Sequence, residues 1–460
     1  MPYYGQRKEL EGIKLTDIIS LGALARVIPA KAVDEALARQ GRKEVRNRLL
    51  PARVTVYYII LMTMYSHLGY REILHVMVEG YKGLFKGLKG WHVPQKSAVT
   101  QARERLGVEP VEDLYRRLAR PVATPKTRGA WYRKWLVTSF GGTTVDIADT
   151  PENEAIFGRP GNGRSDEKSA YPQARMVALC EQGTHVLADA EIGSIATGEQ
   201  KMTRRLLRSL APNMINLADR NFFGYELWKE ASATGAQLLW RVKKNLILEP
   251  VETFEDGSFT AWIYPTTRAR RHDKDAITVR VIEYTMEDTG RVDTEPAYRL
   301  ITTILKPDDA PAHELACLYE QRQEIEFTFD EIKTHQRGAN MVFRSKTPNG
   351  VLQEAYGYLL AHFAIRSIMH EAALSLDIDP DRVSSTNTIR IIRRKLQRFQ
   401  SFSPLTIDSS TQGNRRGNTT KHPAPKKTAR QSQSSEKENV KIPTETSNSQ
   451  KLSTTRKNNS

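Results

Sequence analysis

The sequence predicts a mixed α/β protein with a helical N-terminal region, and three observations carry that expectation. Up to about residue 125, apolar residues recur every three or four positions, the helical period. From Trp131 the period shortens, and strand-like runs alternate with helical ones. After Phe402 there is no aromatic residue, and Ser, Thr, Asn, Gln, Lys and Pro dominate. The chain has 460 residues, 39% of them hydrophobic, enough to bury real cores. Its net charge of +16 favours a polyanionic partner over a neutral small molecule. Cys180 and Cys317 are the only cysteines, which excludes a disulfide framework and a four-cysteine zinc site and suits a reducing cytoplasm. The opening MPYYGQRKEL lacks the apolar core of a signal peptide. The most apolar stretch, Val54 to Tyr65, is too short to span a bilayer and reads as a buried helix. There is no internal repeat.

Taken in order, helices are predicted over Leu15–Ile28, Ala32–Gln40, Ala52–Leu68 and Tyr70–Glu79, each with apolar residues at helical spacing. Ser97–Leu106 opens on Ser97 as an N-cap and carries Arg103 and Arg105. Following Trp91 and Pro94, it fits either the recognition element of a helix-turn-helix or an ordinary surface helix. Trp135–Ile147, Arg175–Glu181 and Thr184–Glu191 read as strands, with a tight hairpin turn at Gln182-Gly183. A helix over Gly198–Leu210, a strand over Met214–Asp219, a helix over Tyr225–Thr234 and a strand over Ala236–Val242 follow. Three meandering strands, then helix, strand, helix, strand, is the pattern of the ribonuclease H fold. Residues 244–306 are again strand-like and read as an all-β insertion. The basic cluster Arg268, Arg270, Arg271 and Lys274 within it suits either a DNA channel or a solvated loop.

The predicted domains are therefore a helical region 1–125, an α/β region 126–402 with its β-rich insertion, and a tail 403–460. The tail holds 11 basic and four acidic side chains, a net of +7. It has too little apolar surface to offset its ordering entropy, so disorder is expected, as an inert tail or a DNA-binding arm.

The chemistry concentrates in Leu318–Lys333. At about 100° per residue, Tyr319, Arg322, Glu326 and Lys333 fall within roughly 60° of one another on one helix. Leu318, Ile325, Phe329 and Ile332 form an apolar stripe beside them. Periodicity alone fits a helix edge stitched by an i, i+4 pair of Arg322 with Glu326.

The spacing Tyr319, Arg322, Glu326, Lys333 resembles the Y-R-E-K signature of the insertion-sequence-four family of DDE transposases. Further matching stretches are Asp149-Thr-Pro-Glu-Asn153 with Phe157-Gly-Arg-Pro160, Leu217-Ala-Asp-Arg-Asn-Phe222 and Phe343-Arg-Ser-Lys-Thr-Pro-Asn-Gly-Val-Leu-Gln-Glu354. Leu49–Arg53 and Ser97–Arg105 resemble the family's N-terminal domain, so the likeness covers roughly residues 10 to 400. The resemblance implies a ribonuclease-H-like core that holds two divalent ions, Mg2+ or Mn2+, between three carboxylates. Such ions sit about 4 Å apart, one activating a water or 3′-hydroxyl and one stabilising the leaving oxygen; oxygen ligands suit them. Asp219, otherwise an ordinary turn or N-cap aspartate, matches the second carboxylate, and Glu326 matches the third. Gly141 stands where the first aspartate is expected. Asp146 faces the other side of the strand, and Asp149 lies about 26 Å further along, so neither replaces it simply.

The same resemblance implies double-stranded DNA as partner, at element ends and target, a homodimer on that DNA, a cytoplasmic location and no membrane. Arg322 and Lys333 would hold phosphates near the cut strand, with Tyr319 bonding a phosphate oxygen. Trp240 or Trp262 is available to stack on an unpaired base, unless buried in the core. The function implied is cleavage and strand transfer at terminal inverted repeats. The absent aspartate leaves one alternative, a DNA-binding protein impaired in cleavage.

Overall fold

The computed structural model describes residues 22–44, 50–78, 93–161, 169–286, 298–336, 342–398 and 440–441. The chain divides into two compact units that cut across its linear order. The first gathers residues 1–129, 142–197 and 327–422; the second gathers 130–141, 198–326 and 423–460.

In chain order the helices are α1 (Ala30–Arg39), α2 (Ala52–Met64), α3 (Tyr70–Val78), α4 (Lys96–Leu106), α5 (Glu109–Leu118) and α6 (Pro151–Phe157). They continue as α7 (Glu199–Leu206), α8 (Tyr225–Ser232), α9 (Thr267–Arg271), α10 (Ala312–Glu320), α11 (Glu324–Asp330), α12 (Pro348–Leu376) and α13 (Ser385–Arg398). The strands are β1 (Trp131–Tyr132), β2 (Trp135–Asp146), β3 (Gln173–Glu181), β4 (Val186–Ser194), β5 (Met214–Ala218) and β6 (Gln237–Arg241). They are followed by β7 (Glu252–Thr253), β8 (Phe259–Ile263), β9 (Ile277–Met286), β10 (Tyr298–Thr302) and β11 (Val440–Lys441).

In the first unit, α2 starts after the extended Pro51 and is apolar on every side, with Val54 to Met64 buried. A helix of that kind must be wrapped rather than laid on a surface. Its wrapping partner is α12, a 29-residue helix that the sequence reading did not anticipate. Gly357 permits the close approach, since a Cβ there would stand 2.9 Å from Ile59 Cγ2 and 3.2 Å from the Ile59 carbonyl oxygen. Thr63 Oγ1 donates to the Gly357 carbonyl at 3.3 Å. α12 begins in the expected way, with Pro348 in its first turn and the Thr347 hydroxyl accepting from Gly350 N–H. β3 and β4 pair antiparallel in the same unit. The expected two-residue hairpin turn between them is instead a 3-10 turn, Gln182–Thr184, followed by His185 at φ +57°.

Several expectations change here. The predicted N-cap Ser97 lies inside the first turn of α4, and Gln95 holds the cap position with no side-chain bond. Arg103 is not an exposed surface group. It is buried, donating to Gln353 Oε1 at 3.0 Å, Ser345 Oγ at 2.9 Å and the Gly350 carbonyl at 2.8 Å. α2 stops four residues short of its predicted end because Tyr65 leaves helical backbone at φ −120°, ψ 52°. Of the helix predicted over Leu15–Ile28, the described part holds a 3-10 turn, Gly22–Arg26; residues 1–21, Leu49 and Trp91 lie outside the described residues. So does the tail, apart from Val440–Lys441, which pair with β9.

In the second unit the strand order is β2-β5-β6-β10-β9-β8-β7. β2, β5 and β6 are parallel neighbours, and the remaining pairings are antiparallel. Side chains alternate between the two faces. Val137, Ile215, Leu217 and Leu239 therefore share one face, where they pack with Leu315, Leu318 and Tyr319 of α10. Phe140 and Trp240 share the opposite face, and the Trp240 ring meets Trp228 of α8 edge-on at 5.3 Å. The stretch 244–306 is β-rich but not all-β among its described residues: α9 interrupts it, capped by the Thr266 hydroxyl. Among the described residues, no helix is long and apolar enough to cross a membrane.

Candidate active site

Register decides which side chains meet. β2 and β5 pair Val137 with Ile215 and Ser139 with Leu217, so two residues further on Gly141 lies beside Asp219. β5 and β6 pair Ala218 with Trp240, which sets Asp219 beside Arg241. By alternation all three occupy the face that packs on α10. The row Gly141, Asp219, Arg241 thus runs from the middle of β2 to the C-terminal ends of its parallel neighbours β5 and β6, near the usual place for a site in an open α/β sheet.

Above that row the chain does not form the single helix predicted over Leu318–Lys333. α10 gives way to a 3-10 turn, Gln321–Gln323, before α11 begins. A π-helical turn, Glu331–Gln336, then follows α11. Each change of winding rotates what comes after it, so an angular count at one pitch does not carry across. Tyr319, Arg322 and Glu326 remain in the second unit with Asp219 and Gly141, whereas Lys333 lies in the π-helical turn of the first. The apolar stripe holds: Leu318, Ile325, Phe329 and Ile332 are all buried.

Asp219 is 24% exposed and has Arg241 Nη1 at 4.0 Å. The Arg241 guanidinium lies over the Tyr298 ring at 4.3 Å, which fixes its plane. Arg322, from the 3-10 turn, donates to Glu326 at 3.0 Å, and Glu326 is 65% exposed. Burial disfavours charge on Arg322, yet Tyr319, Asp219 and Glu326 outweigh it and hold the guanidinium above its ordinary pKa. Arg322 therefore stands within the field of both carboxylates. Tyr319 is buried, and burial raises its hydroxyl pKa above the ordinary value. That hydroxyl donates to the Ala218 carbonyl at 3.2 Å, pinning the strand immediately before Asp219.

Gly141 is not an open slot. A Cβ at 141 would stand 2.5 Å from Ile325 Cδ1 and 3.0 Å from its Cγ1 and Cγ2. The side chain before Glu326 fills the space that a longer residue on β2 would need. Among the described residues, no three His, Cys, Asp or Glu side chains come together as a metal-binding group. Trp240 is core, its Nε1–H donating to Asn216 Oδ1 at 3.1 Å. Trp262 is 42% exposed. Of the basic cluster, Arg270 is paired with Glu249 at 2.7 Å, while Arg268, Arg271 and Lys274 are exposed. Arg241 was not singled out from the sequence, and Ile325 was read there only as part of the apolar stripe. Parity along Leu239–Arg241 would have flagged the first, and adjacency to Glu326 the second.

The chain matches two family descriptions, "Insertion element 4 transposase N-terminal" over residues 18–116 and "Transposase DDE domain" over residues 137–364. It is similar to "Transposase InsG for insertion sequence element IS4" of Escherichia coli (strain K12), 27% identical over 390 residues, covering 84% of this chain and 85% of that protein. It is also similar to "Putative transposase InsZ" of the same organism, 26% identical over 228 residues, covering 49% of this chain and 73% of that protein.

Proposed function

Since the chain belongs to the insertion element 4 family of DDE transposases, we propose that it acts on the inverted-repeat ends of its own element through Asp219 and Glu326. As a transposase it binds DNA and cleaves and transfers DNA strands. A ribonuclease-H-like core comes with the DDE domain, in keeping with the mixed α/β fold and helical N-terminus. Family membership does not favour the alternative of a DNA-binding protein that cuts nothing.

The observation that supports the assignment of roles is Asp219 beside Arg241 at the ends of β5 and β6, with Arg322 in the 3-10 turn paired to Glu326 in α11. Domains of this family use divalent metals. Asp219 and Glu326 suit one Mg2+ or Mn2+ ion, with phosphate oxygens and water filling its remaining positions. They do not suit the two-ion set, because position 141 supplies no carboxylate and Ile325 occupies its space. When bound, such an ion supplies Lewis-acid activation of the attacking oxygen. The side chains have their own work. Arg322 turns from Glu326 to a strand phosphate, Arg241 orients Asp219, and Tyr319 holds the strand end rather than a phosphate oxygen. Lys333 contributes a further phosphate contact, and exposed Trp262 stacks on an unpaired base.

In the same reading, residues 1–125 form the DNA-binding region and 126–402 the catalytic region. Residues 244–306 are a β-rich insertion and 403–460 a basic tail. The protein works as a homodimer on double-stranded DNA in the cytoplasm, at the nucleoid. The deciding experiment is cleavage of element-end DNA in Mg2+ or Mn2+ by the wild type, Asp219→Ala and Glu326→Ala. Each variant should lose on the order of 100-fold or more in rate, about 1.4 kcal/mol of barrier per factor of ten. Cutting by both variants at the wild-type rate would remove these residues from the mechanism.

A further inference from the structure

Three of the sequence stretches singled out above are not used by the carboxylate row, yet they fold against one another in the first unit. Thr150 Oγ1 donates to the Lys346 carbonyl at 2.9 Å, and Asn153 Nδ2 donates to the Ser345 carbonyl at 3.1 Å. Arg103 joins α4 to Ser345, Gly350 and Gln353. Glu354 accepts from both the amide and the hydroxyl of Ser345. Where they meet, the surface opens into a groove of about 790 Å3, lined among others by Tyr70, Lys96, Thr100, Ile156, Arg344 and Lys346. That volume lies in the range of sites that enclose a small organic group.

The groove's charge is one-sided. Lys96, Arg103, Arg344 and Lys346 line it, against Glu104 as its one carboxylate. The two arginines are already held. Arg103 is buried in the bonds just described, and the terminal nitrogens of Arg344 donate to the Leu68 and Met62 carbonyls at 2.6 and 3.1 Å. The Arg344 guanidinium also lies 4.8 Å from the Tyr70 ring centroid. With the buried Glu354 beside them, they leave a net positive charge fixed beneath the groove. Lys96 and Lys346 are exposed at its edge, and neither forms an ion pair with a carboxylate among the described residues. Ile156, 57% exposed, adds an apolar wall.

Paired lysines over fixed positive charge, beside an apolar wall, suit a phosphate with a sugar attached; a free phosphate would leave the wall unused. We propose that this groove holds one nucleotide step of a DNA strand, its phosphate between Lys96 and Lys346 and its sugar against Ile156. The proposal rests on the transposase reading for the identity of the polyanion as DNA. It adds a backbone anchor in the first unit, separate from the carboxylate row. Contacts of this kind position a duplex without reading its sequence.

The test uses the full chain with an arbitrary 20-base-pair duplex, following affinity against salt. Lys96→Ala/Lys346→Ala should bind several-fold more weakly and lower the slope of log affinity against log salt by about 1, for the one phosphate that the pair neutralises. Lys31→Ala/Lys126→Ala removes the same charge from exposed positions off the groove and should leave the slope within about 0.5 of wild type on the same counterion-release argument. Ile156→Glu should weaken binding as the groove pair does. Equal slopes for the two lysine pairs would overturn the groove. So would competition by polyglutamate as effective as that by DNA and abolished in the groove pair, which would make the occupant an acidic peptide. Failure of the wild type to bind any DNA would overturn the transposase reading and this proposal together. Wild-type binding with an unchanged groove-pair slope would overturn the groove alone.

Discussion

A glycine in the middle of a strand reads as a place where any side chain could be added, since glycine is a poor strand former. At position 141 that expectation meets Ile325, which is fully buried and has little freedom to move aside. Gly141→Asp alone should destabilise the protein by roughly 1–3 kcal/mol, the usual cost of overpacking, instead of restoring an open metal ligand. Gly141→Asp combined with Ile325→Ala should lose less stability than the sum of the two single variants, because the truncation opens the space the new side chain needs. A double-mutant cycle by chemical denaturation should show a favourable coupling of at least about 0.5 kcal/mol, and strict additivity would refute the packing account. Tyr319→Phe should cost about 1 kcal/mol, since it deletes one buried hydrogen bond to the Ala218 carbonyl. Asp219 and Glu326 stood out in the sequence because their neighbours carry a pattern. Arg241 did not, because its place beside Asp219 follows only from the register of β5 with β6, which parity along a single strand does not give.

Helices and strands with one wet face announced themselves through their period. α12 did not, since both ends of its apolar stretch and all its sides are buried and no period stands out; only Thr347-Pro348 marked its start. The break between α10 and α11 was equally hidden, because helical spacing in the text does not reveal a change of pitch. β3 ends on another buried feature, Glu181, which is fully buried. Desolvation pushes its pKa up to about 7 from a usual value near 4.5, despite bonds from the Thr184 hydroxyl and the Ala123 amide. A carboxyl raised in this way favours the folded state when protonated. Its contribution is complete below about pH 4.5 and is lost as pH rises through about 7. The loss is on the order of 3 kcal/mol. Glu181→Gln should flatten the stability profile between those pH values, as followed by urea denaturation. An unchanged slope would exclude Glu181 as its source.

For the whole molecule, the excess of 69 basic over 53 acidic side chains predicts DNA affinity that falls steeply with salt through counterion release, with or without cleavage. Mobility shifts at low and moderate salt would check this, and an affinity indifferent to salt would contradict it. The composition of the chain made that property legible, but not the grouping of its parts. Early helices and a late one share the first unit, as the bond between Thr63 and Gly357 across 294 positions shows. That separation has a consequence in time. A ribosome adding about 5–20 residues per second would take roughly 15–60 s to travel from α2 to the end of α12. Throughout that interval the most apolar helix of the protein would wait without its covering partner, open to holding chaperones and to other nascent copies. A chain released before Pro348 should therefore collect in inclusion bodies when the complete chain does not, and fractionation of the two expressed side by side would measure it.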